Sequence, residues 1–230
     1  LPVVIRWCRR NPGVRLVFDS HELYEEVSGL TPLTRWCCRR ILRRYADRVD
    51  GFVTVNDSIA REHAARYPTL PPAVVVRNAT RATGNPLVYD GRLHRAAGID
   101  PDRRVLLYQG GFSKERGLES LVAAAGGLPP DWVLVMMGWG VLEPRLRSLV
   151  ERDPRLSERV RFVPPAPQEE LVAWTAGGDF GVIPYENTCL NHWYCSPNKL
   201  WEYPAAGVPI LATPFPEMRR VIEDHGIGRT

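Results

Sequence analysis

An α/β architecture of doubly wound parallel sheets is predicted by three features of the sequence. From about residue 104, short apolar runs alternate with stretches of helical period. Those runs are apolar throughout rather than alternating, as expected of strands covered on both faces. The same strand–helix alternation recurs, less completely, before residue 78, and 230 residues suffice for two cores.

In chain order, the first part reads as strand 15–18, helix 33–48, strand 52–55, helix 58–67 and strand 73–76. Residues 78–102 are rich in Gly, Pro and Arg without sustained period and read as a linker with a short helix near 93–97. Strands then fall at 105–108, 133–137, 160–163, 180–183 and 210–212. Helices separate or follow them at 118–125, 142–150, 169–176, 199–206 and 217–222. The expected division is therefore a partial first lobe over 1–78, a linker over 79–102 and a second lobe over 103–230. Both ends read as cut, and the first lobe as truncated. Ligands of such folds sit at the carboxyl ends of the strands.

A chain that is 44% hydrophobic and 24% charged belongs to a globular protein, not a disordered tail. The net charge of +4 suits an anionic ligand or membrane surface but argues for no nucleic-acid partner. Lys114 and Lys199 are the only lysines; every other basic residue is arginine. Cys8, Cys37, Cys38, Cys189 and Cys195 form no C-x-x-C pair and are odd in number, which favours a reducing cytoplasm over a disulfide framework or zinc site. No apolar run approaches the roughly 18 residues of a membrane span, and no leader precedes the first residues. The stretch 33–45 is basic and carries Trp36 and Tyr45. It reads first as an amphipathic core helix with a solvated arginine face, and second as a helix lying on anionic lipid.

The sharpest local signal is Ser196-Pro197-Asn198-Lys199-Leu200-Trp201-Glu202-Tyr203. Ser196 suits an N-cap and Pro197 the first helical position, which leaves the amides of Asn198, Lys199 and Leu200 facing outwards with partial positive charge. Lys199 adds a full charge, and Glu202, four residues after Asn198, lies on the same face one turn deeper. A carboxylate there can accept from a ribose diol while the amides hold phosphate; alone, the octapeptide reads equally as an ordinary capped helix. Gly110 and Gly111 follow one expected strand, Gly138 and Gly140 the next, and glycine there lets a ligand approach the backbone. Neither a G-x-G-x-x-G fingerprint nor a P-loop is present, which counts against NAD-dependent and P-loop chemistry.

Taken in order, Asp19-Ser20-His21-Glu22, Tyr108–Gly111 with Arg116-Gly117-Leu118-Glu119, Gly138-Trp139-Gly140 and Ser196–Glu202 running into Ala205–Pro209 resemble the retaining family-four glycosyltransferases of the GT-B fold. The resemblance implies two Rossmann-like lobes and transfer of a sugar from a nucleotide-sugar donor to a glycan or lipid-linked acceptor. It implies retention, no metal and no cofactor, since the nucleotide-sugar is a substrate. It makes Glu202 the ribose ligand, Asn198, Lys199 and Leu200 donors to the diphosphate and sugar, and Arg116 the cation on the β-phosphate. Gly110 and Gly111 lie beneath the phosphates, Pro164 marks the base-holding segment, and His21 faces the donor sugar across the cleft. Two positions depart from the pattern. Tyr194 stands where an earlier glutamate is usual, so Asn191 or His192 is the candidate for the sugar hydroxyls. Gly111 stands where an arginine commonly partners Arg116, a loss that Lys114 can offset. Two other readings stay open: a GT-B nucleotide-sugar 2-epimerase, and a nucleotide-sugar-binding module or fragment without catalysis. The usual setting of such proteins is polysaccharide or glycolipid synthesis on the cytoplasmic side, with peripheral membrane contact as one option.

Overall fold

The computed structural model describes residues 2–80 and 88–230, and residues 81–87 of the expected linker lie outside it. It has two compact units that interleave along the chain. The first takes residues through Asn78 together with 187–196 and 215–217; the second takes 79–186, 197–214 and 218–230.

The first unit begins with α1 (Pro2–Cys8), which the sequence did not announce, because β-branched Val3, Val4 and Ile5 are poor helix formers. There follow β1 (Val17–Ser20), α2 (Pro32–Tyr45), β2 (Gly51–Thr54), α3 (Asp57–Arg66) and β3 (Ala73–Val75). The strands pair in parallel in the order β1-β2-β3. Asn56 caps α3 by accepting from the Ile59 N–H at 2.8 Å. Phe18 stacks on Phe52 at 5.7 Å, and His63 meets the Phe52 ring edge-on at 5.1 Å.

No residue of α2 is buried, so the core-helix reading is corrected. The helix lies mainly against the 3₁₀ turn Tyr24–Glu26 rather than against a strand. Arg39 and Arg66 both donate to Glu26 there, while Leu33 and Trp36 stay exposed.

The second unit runs α4 (Arg92–Ala97), β4 (Arg104–Gly111), α5 (Leu118–Ala124), β5 (Trp132–Trp139), α6 (Glu143–Arg152), α7 (Pro154–Ser157), β6 (Val160–Val163), α8 (Leu171–Thr175) and β7 (Phe180–Ile183). The chain then contributes α9 (Leu190–Trp193) to the first unit, and continues as α10 (Lys199–Ala205), β8 (Ile210–Ala212), α11 (Pro216–His225) and β9 (Gly228–Arg229). All six strands are parallel, in the order β6-β5-β4-β7-β8-β9. Val105–Tyr108 and Val133–Met137 are buried along their whole length, the pattern of strands covered on both faces.

Of the glycines expected after these strands, Gly110, Gly111 and Gly138 are instead paired residues at the strand ends, while Gly140 follows β5. Gly110 sits opposite Gly138, and Gly111 opposite Trp139. A Cβ at Gly138 would fall on the Gly110 carbonyl oxygen, and one at Gly140 on that of Phe112. Both glycines are therefore required by backbone packed against backbone.

Candidate functional site

Counted from its own first strand, the second unit has the order 3-2-1-4-5-6, so the winding reverses between β4 and β7. Open α/β sheets hold ligands at the carboxyl ends of the strands flanking such a reversal. Gln109, Gly110 and Gly111 end β4, and Pro184-Tyr185-Glu186 follow β7.

Helix α10 is fixed against those two strands by Tyr203, which is fully buried. Its phenol donates to the Leu107 carbonyl at 2.9 Å and accepts from the Gln109 N–H at 3.3 Å. Gly181 on β7 leaves room for the ring, since a Cβ there would lie 2.4–2.5 Å from its carbons. Burial raises the Tyr203 hydroxyl well above the usual phenol range, so it stays a neutral donor.

With α10 so placed, Glu202 reaches the end of β4. Its Oε2 accepts from Gln109 Nε2 at 2.7 Å, and Gln109 Oε1 accepts from the Thr175 hydroxyl at 2.7 Å. Gln109 and Thr175 are buried whereas Glu202 is half-buried, so the carboxylate is held from behind. Lys199, one turn earlier, is also buried. Its Nζ lies 4.6 Å from the Tyr108 ring and 5.1 Å from the Tyr185 ring, with the Tyr185 hydroxyl at 3.3 Å. A Cβ at Gly110 would stand 3.3 Å from this amine, whereas one at Gly111 would meet nothing within 4 Å. Gly110 thus makes room for the lysine, and Gly111 opens on free space.

Arg116 completes the group from the loop before α5. Its Cζ lies 4.1 Å over the Tyr185 ring, and its Nε is 3.4 Å from Ser113 Oγ. Among the described residues, this half-buried guanidinium has no carboxylate partner. Tyr108 supports the same floor by donating to the Gly111 carbonyl at 2.9 Å, and burial pushes its hydroxyl up to about 12. Gln109, Thr175 and Tyr185 were not singled out from the sequence, because only the strand order shows that 109, 175 and 185 meet.

Some expected site residues stand differently. Ser196 makes no cap: the helix starts at Lys199, and Asn198 precedes it without a side-chain capping bond. The Leu200 N–H turns back to the Pro197 carbonyl at 2.9 Å, and its side chain is fully buried, so it does not face outwards. The tight turn that Pro197 starts accounts for both. Asn198 is exposed, as is Pro164 beyond the end of β6. His21, Asn191 and His192 belong to the first unit. His21 is exposed at the carboxyl end of β1, with Nε2 3.2 Å from Asp19 Oδ2. Asn191 is buried and its Oδ1 accepts from the Leu23 N–H at 2.8 Å, while His192 Nδ1 lies 3.0 Å from Thr188 Oγ1. Tyr194 packs against the cluster of Leu23, Val55 and Ile59.

A D-inositol 3-phosphate glycosyltransferase of Corynebacterium urealyticum is 23% identical over 97% of this chain and 53% of its own length. The sucrose-phosphate synthase of Thermosynechococcus elongatus superposes with a TM-score of 0.68 at 20% identity, over 91% of this chain and 53% of that one. The HepE protein of Anabaena, solved in complex with UDP-glucose, superposes at 0.60 with 15% identity, over 86% of this chain and 53% of its own. The chain therefore spans about half the length of these relatives. The family model described as "Glycosyl transferases group 1" matches residues 103–229, the stretch that builds the β4–β7 crevice. Since that match covers more than half of the chain, the protein belongs to the group 1 glycosyl transferases and has the parallel α/β fold of GT-B enzymes.

Proposed function

We propose that the protein moves a sugar from a nucleoside diphosphate sugar to a glycan or lipid-linked acceptor, with retention and without a metal ion. One observation carries the reading: Arg116 and Lys199 meet at one tyrosine ring beside a braced carboxylate, at the end of the sheet where ligands bind. The cations suit a diphosphate and Glu202 suits a ribose diol. Likeness to a fold neighbour solved with UDP-glucose supports that donor class.

As the donor bond breaks, negative charge grows on the β-phosphate and positive charge on the anomeric carbon. Fixed cations aimed at that phosphate lower the barrier without reorganising, and the fold's remaining contribution is to hold the reactants in line. The departing phosphate, left on the face from which the acceptor enters, takes the acceptor proton. That course needs no pair of carboxylates about 5 Å apart, as a retaining glycosidase does. Leu33, Trp36 and the arginines of α2 are the candidates for peripheral contact with an anionic membrane, and among the described residues no helix is long and apolar enough to cross one.

The test is Arg116→Ala assayed with donor saturating. Loss of a charged donor at the developing charge should lower kcat by about 10²–10³, or about 2.7–4 kcal/mol. Unchanged turnover removes the assignment. Nuclear magnetic resonance of the product's anomeric proton, read with and without chelator, tests retention and metal independence in the same assay.

A further inference from the structure

Two cations brought to one place repel each other before any ligand arrives, so something must hold them there. Tyr185 is the side chain that both touch. The Arg116 guanidinium lies 4.1 Å over its ring; Lys199 Nζ is 5.1 Å from the ring centroid and 3.3 Å from the hydroxyl. The ring is 5% exposed, so its negative face acts in a poorly solvated setting where cation–π attraction is strongest.

The backbone around Tyr185 shapes the arginine loop as well. The Glu186 N–H donates to the Glu115 carbonyl at 3.1 Å, and a Cβ at Gly117 would fall on the Pro184 carbonyl oxygen. Glu115 and Gly117 flank Arg116 with φ of 66° and 68°, left-handed values that a glutamate rarely adopts. Arg116 is thus presented from a loop moulded on the segment that carries Tyr185.

We propose that Tyr185 is a positioning residue: its ring is the shared seat that keeps Arg116 and Lys199 together and pointed at the β-phosphate of the donor. This rests on the transferase reading above and adds a group that touches neither donor nor acceptor. It predicts a selective effect. Weakening the ring should cost affinity for a nucleoside diphosphate and leave the monophosphate almost untouched, because the second phosphate is what both cations reach.

Calorimetry with UDP, GDP and ADP, each beside its monophosphate, identifies the base that the full chain prefers. The preferred pair is then measured on Tyr185→Phe, Tyr185→Leu and Tyr185→Phe carrying one to three fluorines, which drain the π face at nearly constant shape. Tyr185→Phe also removes the hydroxyl that accepts from Lys199, so it serves as the reference from which the fluorine series is read. Affinity for the diphosphate should fall stepwise with each fluorine, reaching about tenfold with Tyr185→Leu, while the monophosphate changes by less than about twofold. The fluorine series decides the matter even where Tyr185→Leu fails to fold. A diphosphate affinity indifferent to fluorine, or monophosphate affinity lost in parallel, overturns the role of Tyr185 and leaves the transferase reading standing. A native chain that binds none of the three diphosphates overturns both.

Discussion

Glu202, the carboxylate proposed to hold the donor ribose, is braced by buried neighbours behind it. Gln109 spends its two amide ends on Glu202 and Thr175, at 2.7 Å each, and is itself buried. Its Nε2 therefore occupies one of the two Glu202 oxygens. Replacing Gln109 with Met keeps the volume and removes the donor. A hydrogen bond to a charged group contributes about 1.5–3 kcal/mol, so affinity for the preferred nucleoside diphosphate should fall about tenfold or more in calorimetry. Affinity for its 2′,3′-dideoxy analogue, which has no diol, should hardly move. Arg116, Lys199 and Glu202 could be named together from the sequence through the Ser196–Tyr203 run and the family resemblance. Gln109 and Tyr185 leave no such mark: a buried amide and an aromatic after a strand are ordinary until the strand order brings them together.

At the level of elements, β1, β2 and α3 enclose a histidine that takes no part in the proposed chemistry. His63 is fully buried, with Phe18 and Phe52 around it, Ser20 Oγ 3.3 Å from Nε2 and the Tyr67 ring 5.8 Å away. Burial lowers its pKa below the ordinary 6.5; the Glu25 charge opposes that, Arg66 adds to it and Glu62 opposes it. The unfolded chain therefore binds the proton more readily than the folded one, so stability falls as pH drops below about 6.5. Urea midpoints measured from pH 7.5 to 5.5 should decline for the native chain and decline less for His63→Gln. Equal slopes would remove the histidine from the acid response. Glu26 acts in the same direction but lower on the scale. Burial pushes its carboxyl up, but hydrogen bonds from Arg39 and Arg66 outweigh that and hold it below 4.5, so its contribution is lost only in stronger acid. Element types were readable from the sequence because fully covered strands are apolar runs, and β6, β7 and β8 fall where they were expected. Helix α2 misled because an amphipathic pattern records that a face is apolar and not what lies against it.

For the whole molecule, the nucleotide site proposed above is built wholly from the second unit, so ligand should stabilise that unit first. At 100 times the dissociation constant the expected gain is about 2.7 kcal/mol. Hydrogen exchange should show it as protection across 109–117, 184–186 and 197–203, with α1 to α3 and 187–196 little changed. Uniform protection across both units would place the ligand elsewhere. The segment 187–196 has a separate practical consequence. It leaves the second unit between Tyr185 and Lys199, and it packs with the first through Asn191 on Leu23 and the Tyr194 carbonyl on Asn56. A gene fragment cut at the linker would thus express the nucleotide-binding half with an orphaned, partly greasy flap in its middle. Crystallisation or screening of that half alone calls for a redesigned hairpin in place of the flap, or for co-expression of the two pieces.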